Sequence, residues 1–132
     1  MRALVLALPG VIALSACAPE TPPSGHALFA EHCSACHGDD ARGNGPLTAG
    51  LETAVPDLTT LSARHEGIFP RIYVMSTIDG YSRGQHEAQV MPEFGERDLG
   101  PMVVIEDGDG NGIPVPVTLL ALADYIESLQ GQ

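Results

Sequence analysis

The sequence predicts a small all-α domain, and three helical stretches predict it. From Gly25 to Cys36, Ser24 offers an N-cap, and Phe29, Cys33 and Cys36 recur at i, i+4 and i+7, the spacing of one helix face. A second helix opens at Phe69-Pro70 with Pro70 in the first helical position. It carries Ile72, Met75 and Ile78 on one face and closes at Gly80. A third covers Pro116–Leu129, with Leu119, Leu122, Ile126 and Leu129 as its apolar seam. Ahead of that last helix, Met102–Glu106 and Ile113–Val117 flank Asp107–Gly112. This predicts a small loop or hairpin excursion, because its prolines argue against a paired central strand.

The first helix ends in Cys33-Ser34-Ala35-Cys36-His37, the C-x-x-C-H pattern of covalent c-type haem attachment. Two thiols about one helical turn apart can reach both vinyl groups of a single porphyrin edge. His37 follows directly and can turn its ring onto the iron. A thioredoxin-like redox pair would follow a strand, and a zinc site would need a second Cys/His pair; the sequence has neither. The predicted cofactor is one haem c, held by thioethers to Cys33 and Cys36 and ligated by His37.

Composition agrees with a bound cofactor. Trp is absent and aromatics make up 5% of the 132 residues, so a buried haem would supply apolar surface that the chain lacks. There are 17 acidic residues against six basic ones, all Arg, for a formal charge of −11; loss of a leader containing Arg2 takes it to −12. Such a surface excludes nucleic acid and anionic lipid head groups as partners. It calls for protein partners that are neutral or basic where they dock.

Residues 1–16 read as an export signal: Arg2 is a minimal positive region and Ala3–Ala13 an apolar stretch too short to span a bilayer. Leu14-Ser15-Ala16-Cys17 resembles the lipobox of bacterial lipoproteins, which implies lipidation of Cys17 and a periplasmic protein held to a membrane by lipid alone. The alternative is cleavage after Ala18, which discards Cys17. Ala18–Ser24, with three prolines, would be a stiff linker. The division is therefore 1–16 signal peptide, 17–24 anchor and linker, and 25–130 haem domain. Export also fits the haem, since bacterial c-type attachment takes place outside the cytoplasmic membrane. The third cysteine belongs to the leader, so no disulfide is expected.

Gly25-x-x-x-Phe29-x-x-x-Cys33-x-x-Cys36-His37-Gly38 resembles the N-terminal helix of class I c-type cytochromes. The resemblance extends over about Gly25–Leu129. It implies a small cytochrome c fold, with N- and C-terminal helices crossing over the covalent haem, Gly25 and Phe29 meeting Leu122 and Tyr125. In that family a Gly-Pro after the motif sets a carbonyl against the proximal histidine's Nδ1–H, and Pro46 matches; a plain turn at Gly45-Pro46 is the other reading. The family's distal methionine commonly lies in a Met-Pro loop, which points to Met91-Pro92. His86 and Met102 compete for that role, whereas Met75 fits the buried stripe of its helix. The Asp107–Gly112 excursion is not part of the family's minimal pattern. Its resemblance to an EF-hand loop stops at Thr118, where calcium needs a bidentate Glu, so a solvated turn is expected.

Other side chains are expected in ordinary settings: His26, His32 and His65 solvated, Asp39, Asp40 and Arg42 at a solvated edge. Phe29, Tyr73, Tyr81 and Phe94 are expected to keep water from the haem. The function this implies is one-electron transfer, as a membrane-anchored carrier or a subunit of an oxidoreductase complex, not catalysis by the chain itself. The rival is a haem enzyme or gas-binding sensor with an open distal site, for which His86 and Arg83 are the available acid/base pair.

Overall fold

The structure, a computed structural model, describes residues 23–81 and 91–131. The expected signal peptide, Cys17, most of the expected linker, His86 and Arg83 lie outside the described residues. Among the described residues, five α-helices, two short 3-10 helices and one two-stranded sheet make up the fold.

Helix α1 is Gly25–His32 and α2 is Ser34–His37. Ser24 caps α1 by accepting from the Ala27 amide at 3.4 Å. The single helix expected to Cys36 is interrupted at Cys33, whose φ is −118°. Ser34 gives the reason: its hydroxyl donates to the Ala30 carbonyl at 2.8 Å, a side-chain bond to the i−4 position that bends helices. Gly38, at φ 79°, ends α2.

The loop that follows folds back on α2, with Gly43 N donating to His37 O (2.7 Å) and Gly45 N to Cys36 O (3.1 Å). Ala41 lies within it, fully buried and at φ 59°, a backbone conformation uncommon for any residue with a Cβ. Asp39 and Asp40 are exposed, and Arg42 lies within 3.9 Å of Asp40 and 3.7 Å of Asp57. A short 3-10 turn, Leu58–Thr60, leads into α3, Leu61–Arg64.

Helix α4 is Arg71–Asp79, so Pro70 is its N-cap and not its first residue; Gly80, at φ 102°, is its left-handed C-cap. Val74, Met75 and Ile78 face the core, while Ile72 is 39% exposed. Each i+3 step falls about 60° short of a full turn, which carries Ile72 off the face that Met75 and Ile78 share. Arg71 reaches across to α5, Val117–Ser128, and pairs with both Asp124 and Glu127 there.

Strands β1, Met102–Glu106, and β2, Gly112–Pro116, form an antiparallel hairpin in the register Val103↔Val115 and Ile105↔Ile113. Those four side chains turn toward the core; Met102 and Val104 point outward. Both strands are edges, which is how Pro114 and Pro116 are accommodated. The tip is closed by Asp107, whose carboxylate accepts from the Asn111 side-chain amide (3.0 Å) and from the backbone amides of Asn111 (2.8 Å) and Asp109 (2.9 Å); these bonds, the side-chain one foremost, hold its carboxyl below the usual range. The calcium-like pattern is thus a turn closed by its own first carboxylate.

Helix α1 packs on α5. A Cβ on Gly25 would lie 2.0 Å from Ala121 O, and the Phe29 and Tyr125 rings are 5.3 Å apart. Phe29 and Leu122 are the largest fully buried side chains, and Leu119, Ala123 and Ile126 complete the buried face of α5. Gln130 then ties this end to α3. Its amide accepts from Ser62 N (2.9 Å) and donates to the carbonyls of Leu58 (2.8 Å) and Ile126 (2.7 Å).

Candidate haem-binding site

The joint between α1 and α2 sets the two thiols. Cys33 is the hinge residue, Cys36 lies in the following turn, and both are free thiols, half-buried. Burial, reinforced by the nearby Cys36, pushes the Cys33 thiol up to about 11, so it is neutral at pH 7.

His37 ends α2. Burial holds its imidazole below the usual histidine range, opposed more weakly by the Pro56 carbonyl, which favours the protonated ring. The ring is therefore neutral at pH 7, the state a metal ligand requires. Its Nδ1 is buried and has no hydrogen-bond partner. A buried polar atom left unpaired is costly unless something else engages the ring. A neutral imidazole with its Nδ1 buried and unpaired, directly beside two free thiols, fits a covalently attached metalloporphyrin.

Pro46 does not stand as expected. It begins a 3-10 turn, Pro46–Thr48, packed on α2 through Gly45, where a Cβ would fall 2.4 Å from Ala35 O. No hydrogen bond reaches His37 Nδ1, and the carbonyl that acts on the ring is that of Pro56. The chain at Val55 runs against the same loop: a Cβ on Gly43 would meet Val55 O at 2.2 Å.

The three methionines described have different settings. Met75 is 4% exposed inside the core and Met102 is 59% exposed on the outer hairpin face. Met91 is half-buried and packs on the edge of the buried core, as does Cys33. His86, the histidine competitor for the distal position, lies outside the described residues.

His32 is not solvated as expected. Its ring lies edge-on to Phe94, centroids 5.4 Å apart at 72°, with Glu31 at 3.8 Å. His26 is exposed with its ring 5.3 Å from Tyr125, and His65 is exposed with Nδ1 2.8 Å from Leu61 O. Phe29 and Phe94 are buried as expected, but Tyr73 and Tyr81 are 46% and 89% exposed in the protein chain alone. Sequence reasoning gave no role to Arg97, which covers the Phe94 ring, or to Gln130; both depend on contacts that no local pattern announces. Among the described residues, no group of three or more His, Cys, Asp or Glu side chains could hold a bare metal ion.

Fold and site together define a small, mostly helical haem protein. The family model for cytochrome c matches residues 24–102, and the chain belongs to that family. With membership comes a single covalent haem c and haem-based electron transfer, the family being typically one of carriers, not enzymes, and usually exported. No curated protein and no solved structure matches the chain at a significant level. The matched span ends at Met102, so most of the hairpin and all of α5 lie beyond it.

Proposed function

We propose that the protein is an exported, lipid-anchored one-electron carrier, or an electron-transfer subunit of a larger complex. In this reading Cys33 and Cys36 carry the haem, and His37 and Met91 are the axial ligands. The observation that carries it is the half-buried position of Met91 on the edge of the same core that Cys33 borders, with Met75 inside the core and Met102 outside it. Bound haem supplies a reversible one-electron change at iron, and a thioether ligand favours the reduced state. The chain's own part is to fix the imidazole on a short helix, hold Met91 in the Met-Pro segment and exclude water with Phe29 and Phe94.

Attachment to a membrane would rest on a lipidated Cys17, with the Pro-rich 18–24 segment as spacer. Among the described residues no helix is long and apolar enough to cross a membrane. Redox partners with neutral or basic docking faces suit a chain with no Lys and a formal charge of −11.

The test is the spectrum of the purified holoprotein. The ferric form should show the weak near-infrared band of thioether-ligated haem, and the ferrous form should not bind carbon monoxide. Met91→Ala should abolish the band, admit carbon monoxide and lower the potential, while Met75→Leu and Met102→Ala keep the band. Wild-type protein without the band, binding carbon monoxide readily, would overturn the carrier reading in favour of an open haem enzyme or sensor.

A further inference from the structure

Phe94 is held from three directions. Its amide donates to Ile78 O at 3.1 Å and that of Gly95 to Asp79 O at 2.9 Å, which seats the segment on the C-terminal end of α4. Gly95 is needed there, since a Cβ would lie 2.7 Å from Asp79 O. The edge of the His32 ring meets Phe94 from α1, at the residue directly before Cys33. The Arg97 guanidinium lies 4.8 Å from the ring centroid, within cation–π range. It is delivered by a tight turn in which Arg97 N donates to Phe94 O at 3.0 Å. Arg97 makes no ion pair among the described residues, so the ring is what holds its charge.

We propose that the His32–Phe94–Arg97 stack is a clamp that locks the Met91 segment to the haem-attachment helices and sets how often the sixth iron position opens to outside ligands. The proposal rests on the assignment of Met91 as distal ligand. Phe94 is three residues from Met91, a distance that even extended chain cannot stretch beyond about 11 Å. Seated, Phe94 restricts where the thioether can go; released, it frees the whole segment. Ligand exchange at a closed haem needs such a local opening, and its frequency is set by the few contacts that break, not by global stability. One ring contacts both the residue before the first thioether cysteine and the loop of the proposed ligand, so the clamp couples the two attachment points directly. Phe94 and Arg97 are positioning residues: they act on the iron only through Met91.

The experiment measures the rate of imidazole binding to the ferric holoprotein at saturating imidazole, together with the near-infrared thioether band. Phe94→Leu keeps apolar volume but removes the ring face, and should speed exchange about tenfold, the loss of an edge contact and a cation–π contact together. Arg97→Gln, at an exposed position that does not threaten folding, should speed it by a smaller factor, and Arg97→Lys should restore most of the wild-type rate. His32→Phe, which keeps an edge-on ring, should exchange like wild type. Leu119→Ala, in the α5 core, should lower the unfolding midpoint and leave exchange unchanged. Wild-type exchange rates in both Phe94→Leu and Arg97→Gln would overturn the clamp, as would equal acceleration in Leu119→Ala. A Met91→Ala variant that keeps the band would instead overturn the ligand assignment beneath it.

Discussion

Gly25 lies so close to the carbonyl oxygen of Ala121 that a Cβ built on it would stand 2.0 Å away, with Tyr125 Cβ at 2.8 Å. Backbone meets backbone here, so no side-chain rotation can make room. Gly25→Ala should push α1 off α5 and destabilise the holoprotein by about 1–3 kcal/mol, the usual range for overpacking a core. Gly108→Ala is the control. It has no atom within 4 Å of a built Cβ and should unfold within about 0.5 kcal/mol of wild type in denaturant titration.

Asp57 caps the 3-10 turn Leu58–Thr60, its Oδ1 accepting from Thr59 N (2.8 Å) and Oγ1 (2.7 Å). The Thr59 hydroxyl, its amide, and the charges of Arg42 and Arg64 hold the carboxyl below its ordinary 3.8. A depressed carboxyl adds stability above its unfolded pKa, lost as pH falls through the folded value. Asp57→Ala should cost about 1 kcal/mol at neutral pH, as for other lost caps, and the gap to wild type should narrow below about pH 3.8. Asp57→Asn keeps an acceptor and should lose less. Urea midpoints measured across acid pH decide it.

Charge makes a kinetic prediction. With 17 acidic residues, six Arg and no Lys, electron exchange with a basic partner protein should slow as salt rises, and exchange with an acidic one should speed up. Stopped-flow rates that ignore ionic strength for both partners would mean that an uncharged face does the docking.

Lipid attachment can be tested apart from redox chemistry. Mass spectrometry of membrane-bound protein should find an acylated N-terminal Cys17, and Cys17→Ser should release the holoprotein in soluble form with its spectrum unchanged. An unmodified N-terminus at Pro19 would show that Cys17 is discarded with the leader.

Much of the architecture was legible in the residues. Periodicity located α1, α4 and α5, and the resemblance to class I c-type cytochromes implied the contact of Gly25 and Phe29 with Leu122 and Tyr125. The paired thiols and the imidazole were legible as spacing. What escaped reading depends on competition or on distant partners. The break at Cys33 comes from the Ser34 hydroxyl seeking Ala30 O, an option every helical serine has and few use decisively. His32 lost its expected solvent because Phe94, 62 positions later, covers it. Pro46 follows Gly45 and Pro56 follows Val55, and only the folded path of 43–57 shows which carbonyl acts on His37. Ile72 went astray because an i+3 series drifts around a helix.

The bonds made by Gln130 bear on the timing of folding. Its amide satisfies Ser62 N and Leu58 O, while α1 packs Phe29 against Tyr125 of α5. These segments thus wait for residues far later in the chain, 68 and 72 positions on for the Gln130 bonds, a high separation that delays folding. Until α5 is in place, the Phe29 face of α1 lacks Tyr125 and stays open beside the cysteine pair. A chain whose first helix is completed so late in sequence stays open longer to an incoming cofactor.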